Sequence, residues 1–96
     1  MSPVKQKKLN NLRKQLDNLD NSFIKLIKKR TNLVNQVLNL KDYKNQIIDK
    51  KRIKLILNKI KRKSIKNNID PKITNRIWKN MIWSFIDFEK RNFKKK

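Results

Sequence analysis

A heptad-like run of apolar residues, uninterrupted by proline or glycine, occupies the first two fifths of the chain. The apolar side chains recur at intervals of three and four residues, and after one gap the pattern resumes: Leu9, Leu12, Leu16, Leu19, Phe23, Leu26, Leu33, Val37 and Leu40. This spacing is typical of a helix that presents one apolar face. We therefore predict a single helix over about residues 4–41, roughly 50 Å long at 1.5 Å per residue.

So long a helix needs a partner for its apolar face. The chain has 96 residues, which predicts one small domain, 1–96, with a single core. The remaining residues are too few to cover a rod of about 50 Å. We therefore expect a second copy of the chain to pack against it, as the simplest partner.

Two shorter helices are predicted after a turn at residues 42–45. The first covers about residues 49–66, and the second covers about residues 71–93 after a short connection. Asp70 can cap the third helix and Pro71 suits its first position. Its apolar stripe is predicted to comprise Ile73, Ile77, Trp78, Met81, Ile82, Phe85, Ile86 and Phe93. The predicted fold class is all-α, with three helices per chain in a homodimer.

The composition excludes several classes of site. The chain has no Gly, Cys or His, so it lacks a glycine-rich phosphate loop, a thiolate nucleophile and an imidazole base. The usual zinc ligands are missing as well, and we expect neither a metal nor a cofactor. No apolar run is long enough to span a membrane, and residues 1–8 lack the apolar core of a signal peptide. We expect a cytoplasmic protein.

The net charge of +21 raises the alternative of a non-enzymatic, nucleic-acid-binding helical protein. Tyr43, Trp78, Trp83 and Phe88 could stack on bases. However, about half of the chain is Lys, Asn or Ile, a bias that AT-rich codons would produce whatever the function. From sequence the lysines are spread over every helix face, so any nucleic-acid binding is expected to be non-specific.

Cations fall where the first helix should be apolar. Arg30 lies four residues after Leu26, Lys41 lies three turns further on, and Arg13 lies beside the seam. A buried cation is costly unless it is paired. Arg30 could reach solvent at the edge of the seam or pair with an aspartate across a dimer.

Charged groups on the other two helices suggest a binding site for an anion. Asp49 precedes Arg52 by three residues at the start of the second helix, which combines backbone N–H donors with a guanidinium. Glu89, the chain's only glutamate, lies in the apolar stripe of the third helix, seven residues after Ile82. Together with the cations of the first helix, these residues predict a small, dry, cationic cavity that suits a compact dianion.

From Leu9 to Phe93 the chain resembles the all-helical chorismate mutase family. The resemblance rests on the ordered spacing of Arg13, Arg30, Lys41, Asp49-x-x-Arg52 and Glu89, together with the surrounding apolar and aspartate positions. It implies an intertwined homodimer whose active sites each borrow one arginine from the other chain. It also implies the Claisen rearrangement of chorismate to prephenate, which requires no nucleophile, metal or cofactor.

The resemblance also implies a role for each matching residue. Arg13 corresponds to the arginine contributed by the partner chain. Arg30, Lys41 and Arg52 correspond to the cations around the substrate's carboxylates and ether oxygen, and Asp49 to a residue that contacts its hydroxyl region. Glu89 corresponds to a Gln or Glu that hydrogen-bonds the ether oxygen, for which it must carry a proton, because a carboxylate can only accept.

Two positions differ from the usual mutase pattern. Ile53 follows Arg52 where the mutases typically carry Glu, and Phe85 replaces a small polar residue near the ring carboxylate. The related isochorismate-pyruvate lyases, which make salicylate, share the fold and carry an apolar residue after the corresponding arginine. Glu89 favours a mutase, because the lyases resembled here carry Gln at that position. The sequence alone is therefore compatible with either a chorismate mutase or an isochorismate-pyruvate lyase.

Overall fold

The computed structural model describes residues 1–95, and this part of the chain is all-helical, with no strand. Helix α1 runs from Pro3–Leu40, α2 from Lys50–Lys66 and α3 from Pro71–Asn92, with a short 3-10 helix at Lys44–Gln46. The predicted all-α class with three helices is confirmed. The chain divides into two compact units, residues 1–33 and the residues from Val34 onward.

The first unit is a single stretch of α1 whose apolar seam faces solvent in the isolated chain. Five of its large side chains are between 56% and 60% exposed: Leu12, Leu16, Leu19, Phe23 and Leu26. Apolar side chains at this spacing, left uncovered over several turns, form a surface that folded proteins normally bury.

The second unit holds the hydrophobic core. Four buried side chains form it: Leu38 from the end of α1, Ile47 from the following turn, and Ile82 and Ile86 from α3. Residues of α2 pack against this cluster, together with Phe93 just after α3. The core therefore joins the end of α1 to both shorter helices. Lys41 is the first residue after α1.

Part of the predicted stripe on α3 is wrong. Ile73 and Ile77 are 55% and 51% exposed, whereas Ile82 is buried. Ile77 precedes Ile82 by five residues, which places it about 140° round the helix at 3.6 residues per turn. These two isoleucines belong to a different face of α3 from the core residues.

Hydroxyl groups and one asparagine join α2 to α3 without glycine. Ser64, which is buried, donates to the carbonyl of Ile60 and contacts the Thr74 hydroxyl, with Oγ–Oγ1 at 2.6 Å. Asn68 has a φ of 57°, in the left-handed region that asparagine tolerates better than most residues other than glycine. A chain with no glycine thus makes the turn between the helices with asparagine.

We expect Asp70→Ala to lower the free energy of unfolding by about 1 kcal/mol. The Asp70 side chain accepts a hydrogen bond from the backbone N–H of Lys72 at 2.9 Å and caps α3. Urea denaturation measures the loss. Asp87→Ala is the matched control, because Asp87 only pairs with Arg91 on the exposed surface. An equal effect of the two substitutions would refute the importance of the cap.

No helix within residues 1–95 combines the length and the apolar character needed to cross a membrane.

Candidate active site

The predicted site residues Lys41 and Glu89 are in direct contact. Lys41 Nζ donates to both carboxylate oxygens of Glu89, at 3.2 Å each. Lys41 lies immediately after the end of α1, and Glu89 lies in the last turns of α3. The two side chains are 48 positions apart in sequence, so it is the packing of α3 on the end of α1 that joins them.

Glu89 is nearly inaccessible to solvent, with 5% of its surface exposed. It lies on the face of α3 that carries Ile82 and Ile86, as its spacing of seven and three residues from them requires. A carboxylate at such a position is tolerated because Lys41, whose side chain is 19% exposed, lies against it. The pair is a fixed polar element on the edge of the apolar core.

The loop after Lys41 is held by a side chain that was not predicted as a site residue. The Gln46 Oε1 atom accepts from the backbone N–H groups of Asp42 and Tyr43, at 2.8 and 2.9 Å. This fixes the backbone immediately after Lys41. The sequence identified a turn here, but the chain could form one with other residues, so nothing in the spacing distinguished Gln46.

A second unpredicted contact involves Lys95. Its Nζ donates to the carbonyl of Asn39 at 2.7 Å and lies 3.7 Å from Asp42 Oδ1. The last turn of α1 contains no basic residue, and a cation at this end favours the helix dipole. Lys95 supplies that cation from beyond α3, which no local sequence pattern could have indicated.

Asp49 and Arg52 form the start of α2 as predicted. The Asp49 side chain accepts from the backbone N–H of Arg52 at 3.0 Å, so it is the N-cap of the helix. The Arg52 side chain is exposed. Asp49 and Lys41 also line one open pocket at the surface of this unit, whose lining residues are Lys41, Gln46, Ile48, Asp49, Lys50 and Lys51. The pocket is therefore rich in cations.

Ile53 and Phe85, the two positions that differ from the pattern expected by resemblance, are both half-buried. Ile53 is half-buried and packs against the buried cluster. Phe85 is half-buried and contacts Phe88 edge-on, with ring centroids 6.5 Å apart. Both side chains are partly accessible to a ligand. Because both are apolar, neither can form a hydrogen bond with it.

The remaining two predicted residues lie in the first unit. Arg13 is exposed on α1, and Arg30 is half-buried further along the same helix. Among the predicted site residues, Lys41 contacts Glu89, and Asp49 caps the start of α2 beside Arg52. Within residues 1–95, no group of three His, Cys, Asp or Glu side chains could hold a metal ion.

The Lys41 ammonium group, which is partly shielded from solvent, can donate hydrogen bonds to an anion. Lys41 is a cation whose position is set by Glu89 on one side and by the Gln46-bound loop on the other. Charge-assisted donors that are fixed before a ligand arrives stabilise negative charge more effectively than mobile ones. This arrangement suits a reaction in which charge develops on a substrate oxygen.

Comparison with known proteins identifies the family. No curated protein and no solved structure gives a significant match to the chain. The family model for chorismate mutase type II, however, matches residues 12–90. This match covers most of the 96 residues, including Arg13, the first of the predicted site residues, and Glu89, the last. The chain belongs to the chorismate mutase type II family.

Proposed function

We propose that this protein is a chorismate mutase that converts chorismate to prephenate in aromatic amino-acid biosynthesis. The observation that carries the proposal is the ion pair between the half-buried Lys41 and the buried Glu89, in a chain of this family. A turnover assay on chorismate, with prephenate identified by mass and absorbance, tests it.

The reaction breaks a C–O bond and makes a C–C bond within one molecule, so the protein needs only to hold and polarise the substrate. Arg30, Arg52 and the partner chain's Arg13 would bind the two carboxylates and hold the reactive conformer, a contribution of several kcal/mol in favourable cases. Lys41 would donate to the ether oxygen as negative charge grows on it. Asp49 would contact the hydroxyl region of the substrate.

Glu89 is proposed as the second donor to the ether oxygen. Its oxygens accept hydrogen bonds from Lys41, whereas donation to an ether oxygen requires a proton on the carboxyl group. The active form is therefore the one in which Glu89 is protonated.

We expect Glu89→Gln to keep most of kcat/KM for chorismate, because the amide retains an N–H donor for the ether oxygen. Glu89→Leu removes the donor and should lower kcat/KM by about 10²- to 10³-fold. The measurement is the rate of chorismate consumption by both variants, with Asp87→Asn as an exposed control that keeps the wild-type rate. Wild-type activity in Glu89→Leu would exclude this role.

We propose a homodimer because the exposed apolar seam of α1 needs a partner surface to bury it. The five seam residues that are more than half exposed lie at heptad-like intervals, and packing against the same face of a second α1 buries both at once. The dimer would also bring a second chain's Arg13 to each site.

Arg30→Leu separates an enzyme from a purely structural helical dimer. We expect this substitution to lower kcat/KM by more than about a hundredfold, since a carboxylate of the substrate loses its cation. The urea midpoint should stay the same or rise, because leucine continues the apolar seam. Lys29→Leu changes the exposed neighbour and serves as the control. Full turnover by Arg30→Leu would remove Arg30 from the site.

An isochorismate-pyruvate lyase is the second candidate, and Ile53 favours it. The side chain after Arg52 is apolar and packs against the core, so it cannot bind the ring hydroxyl as a glutamate could. A substrate with its hydroxyl elsewhere on the ring does not need that contact. Glu89 favours the mutase, and the products formed from the two substrates decide between them.

A further inference from the structure

One exposed face of α3 carries a line of cations around a tryptophan. Lys72, Arg76, Lys79, Trp83 and Lys90 follow one another at intervals of four, three, four and seven residues, and all five are exposed. Residues at these intervals share one side of a helix. We call these five residues the Trp83 stripe; it is about 27 Å long at 1.5 Å per residue.

One acidic residue, Asp87, lies on the same side of α3 as the stripe, four residues after Trp83 and three before Lys90. Asp87 pairs with Arg91 at 2.9 Å, and the other acidic residue of α3, Glu89, is buried against Lys41. Asp70, before the helix, accepts the backbone N–H of Lys72. From sequence we expected lysines spread over every face. On α3, four of the five cations instead align with Trp83, the most exposed aromatic residue of the helix.

Trp83 is 52% exposed, although an indole is normally buried. Trp83 is not among the residues of the core cluster. It follows Ile82 directly and therefore lies about 100° from it round the helix. The exposed isoleucines Ile73 and Ile77 lie on yet another side of α3, so an apolar partner that covers them does not need to cover the stripe.

We propose that the Trp83 stripe binds single-stranded nucleic acid, as a function separate from the active site. Lysine and arginine side chains in a row match successive phosphates, and an exposed indole gives an unpaired base a surface to stack on. Because the stripe lies on a convex helix, it suits bases that are already unstacked better than bases inside a duplex. One aromatic ring among four cations offers too little apolar surface for insertion into a membrane.

The test measures binding of the full-length protein to a fluorescein-labelled single-stranded oligonucleotide by anisotropy, over a series of salt concentrations. Arg76→Gln/Lys79→Gln/Lys90→Gln removes three charges from the stripe. The matched control, Lys7→Gln/Lys8→Gln/Lys14→Gln, removes three exposed charges from α1. Each lost phosphate contact should reduce the slope of log K against log salt by about 0.7, so the stripe variant should lose a slope of about 2. Equal losses in the two variants would overturn the proposal.

Trp83→Leu tests the stacking contact without changing charge. We expect it to weaken oligonucleotide binding by roughly 5- to 150-fold while leaving binding to inorganic polyphosphate, which has charges but no bases, unchanged. Equal losses with both ligands, or no loss with either, would contradict a base-stacking role. Vesicles of phosphatidylserine form the last comparison, and preferential binding to them that depends on Trp83 would assign the surface to membranes instead. Circular dichroism confirms that each variant is folded.

Discussion

Lys41→Met should reduce kcat for the conversion of chorismate to prephenate by about 10²- to 10³-fold, the usual effect of removing a donor to developing negative charge. The same substitution should destabilise the protein. The Glu89 carboxylate stays buried but loses the ammonium group that contacts both of its oxygens. Leaving one partner of a buried pair uncompensated typically costs about 3–5 kcal/mol.

The double variant Lys41→Met/Glu89→Gln separates catalysis from folding. Replacing the buried carboxylate with a neutral amide removes the uncompensated charge, so most of the lost stability should return, as measured by urea denaturation. Activity should stay low, because the amide cannot replace the cation. If the double variant recovers activity together with stability, Lys41 holds the fold and takes no part in the chemistry.

Two inactive variants, Arg13→Ala and Lys41→Met, should restore activity when they are unfolded, mixed and refolded together. In the proposed dimer each site uses Arg13 of one chain and Lys41 of the other. A mixed dimer therefore contains one site with both residues intact and one site with neither. Random pairing makes half of the dimers mixed, so about a quarter of the wild-type activity is expected.

The control for this experiment is the pair Arg30→Leu and Lys41→Met. Both changes fall on residues proposed to act from the same chain, so every site in the mixture lacks at least one of them and no activity should return. If Arg13→Ala and Lys41→Met fail to complement each other while sedimentation shows that mixed dimers form, the partner chain does not supply Arg13.

The helices could be predicted from sequence because their signals are local. The α1 seam repeats over many turns, and Asp49, Asp70 and Pro71 mark where the shorter helices begin. The placement of Glu89 on the core face of α3 also followed from its distance to Ile82. Its contact with Lys41 depends on how the end of α1 packs on α3, which the spacing of residues within either helix does not determine.

Other contacts depend on folding that no short pattern encodes. Gln46 holds the backbone after Lys41, and Lys95 reaches the last turn of α1 from the far end of the chain. Neither residue type at such a position is distinctive by itself. The apolar stripe predicted on α3 was too wide. Successive intervals of three to five residues carried it from Ile73 and Ile77 round to Ile82, which lies on another side of the helix.

The most direct test of the proposed activity is a side-by-side turnover assay of the purified protein on chorismate and on isochorismate, with products identified by mass and absorbance. We predict prephenate from chorismate and no salicylate from isochorismate, which would make Ile53 a tolerated replacement in a mutase. Salicylate and pyruvate from isochorismate alone would contradict the mutase and make the protein a lyase. No product from either substrate would contradict both activities and leave a helical protein that has kept the family's fold without its chemistry.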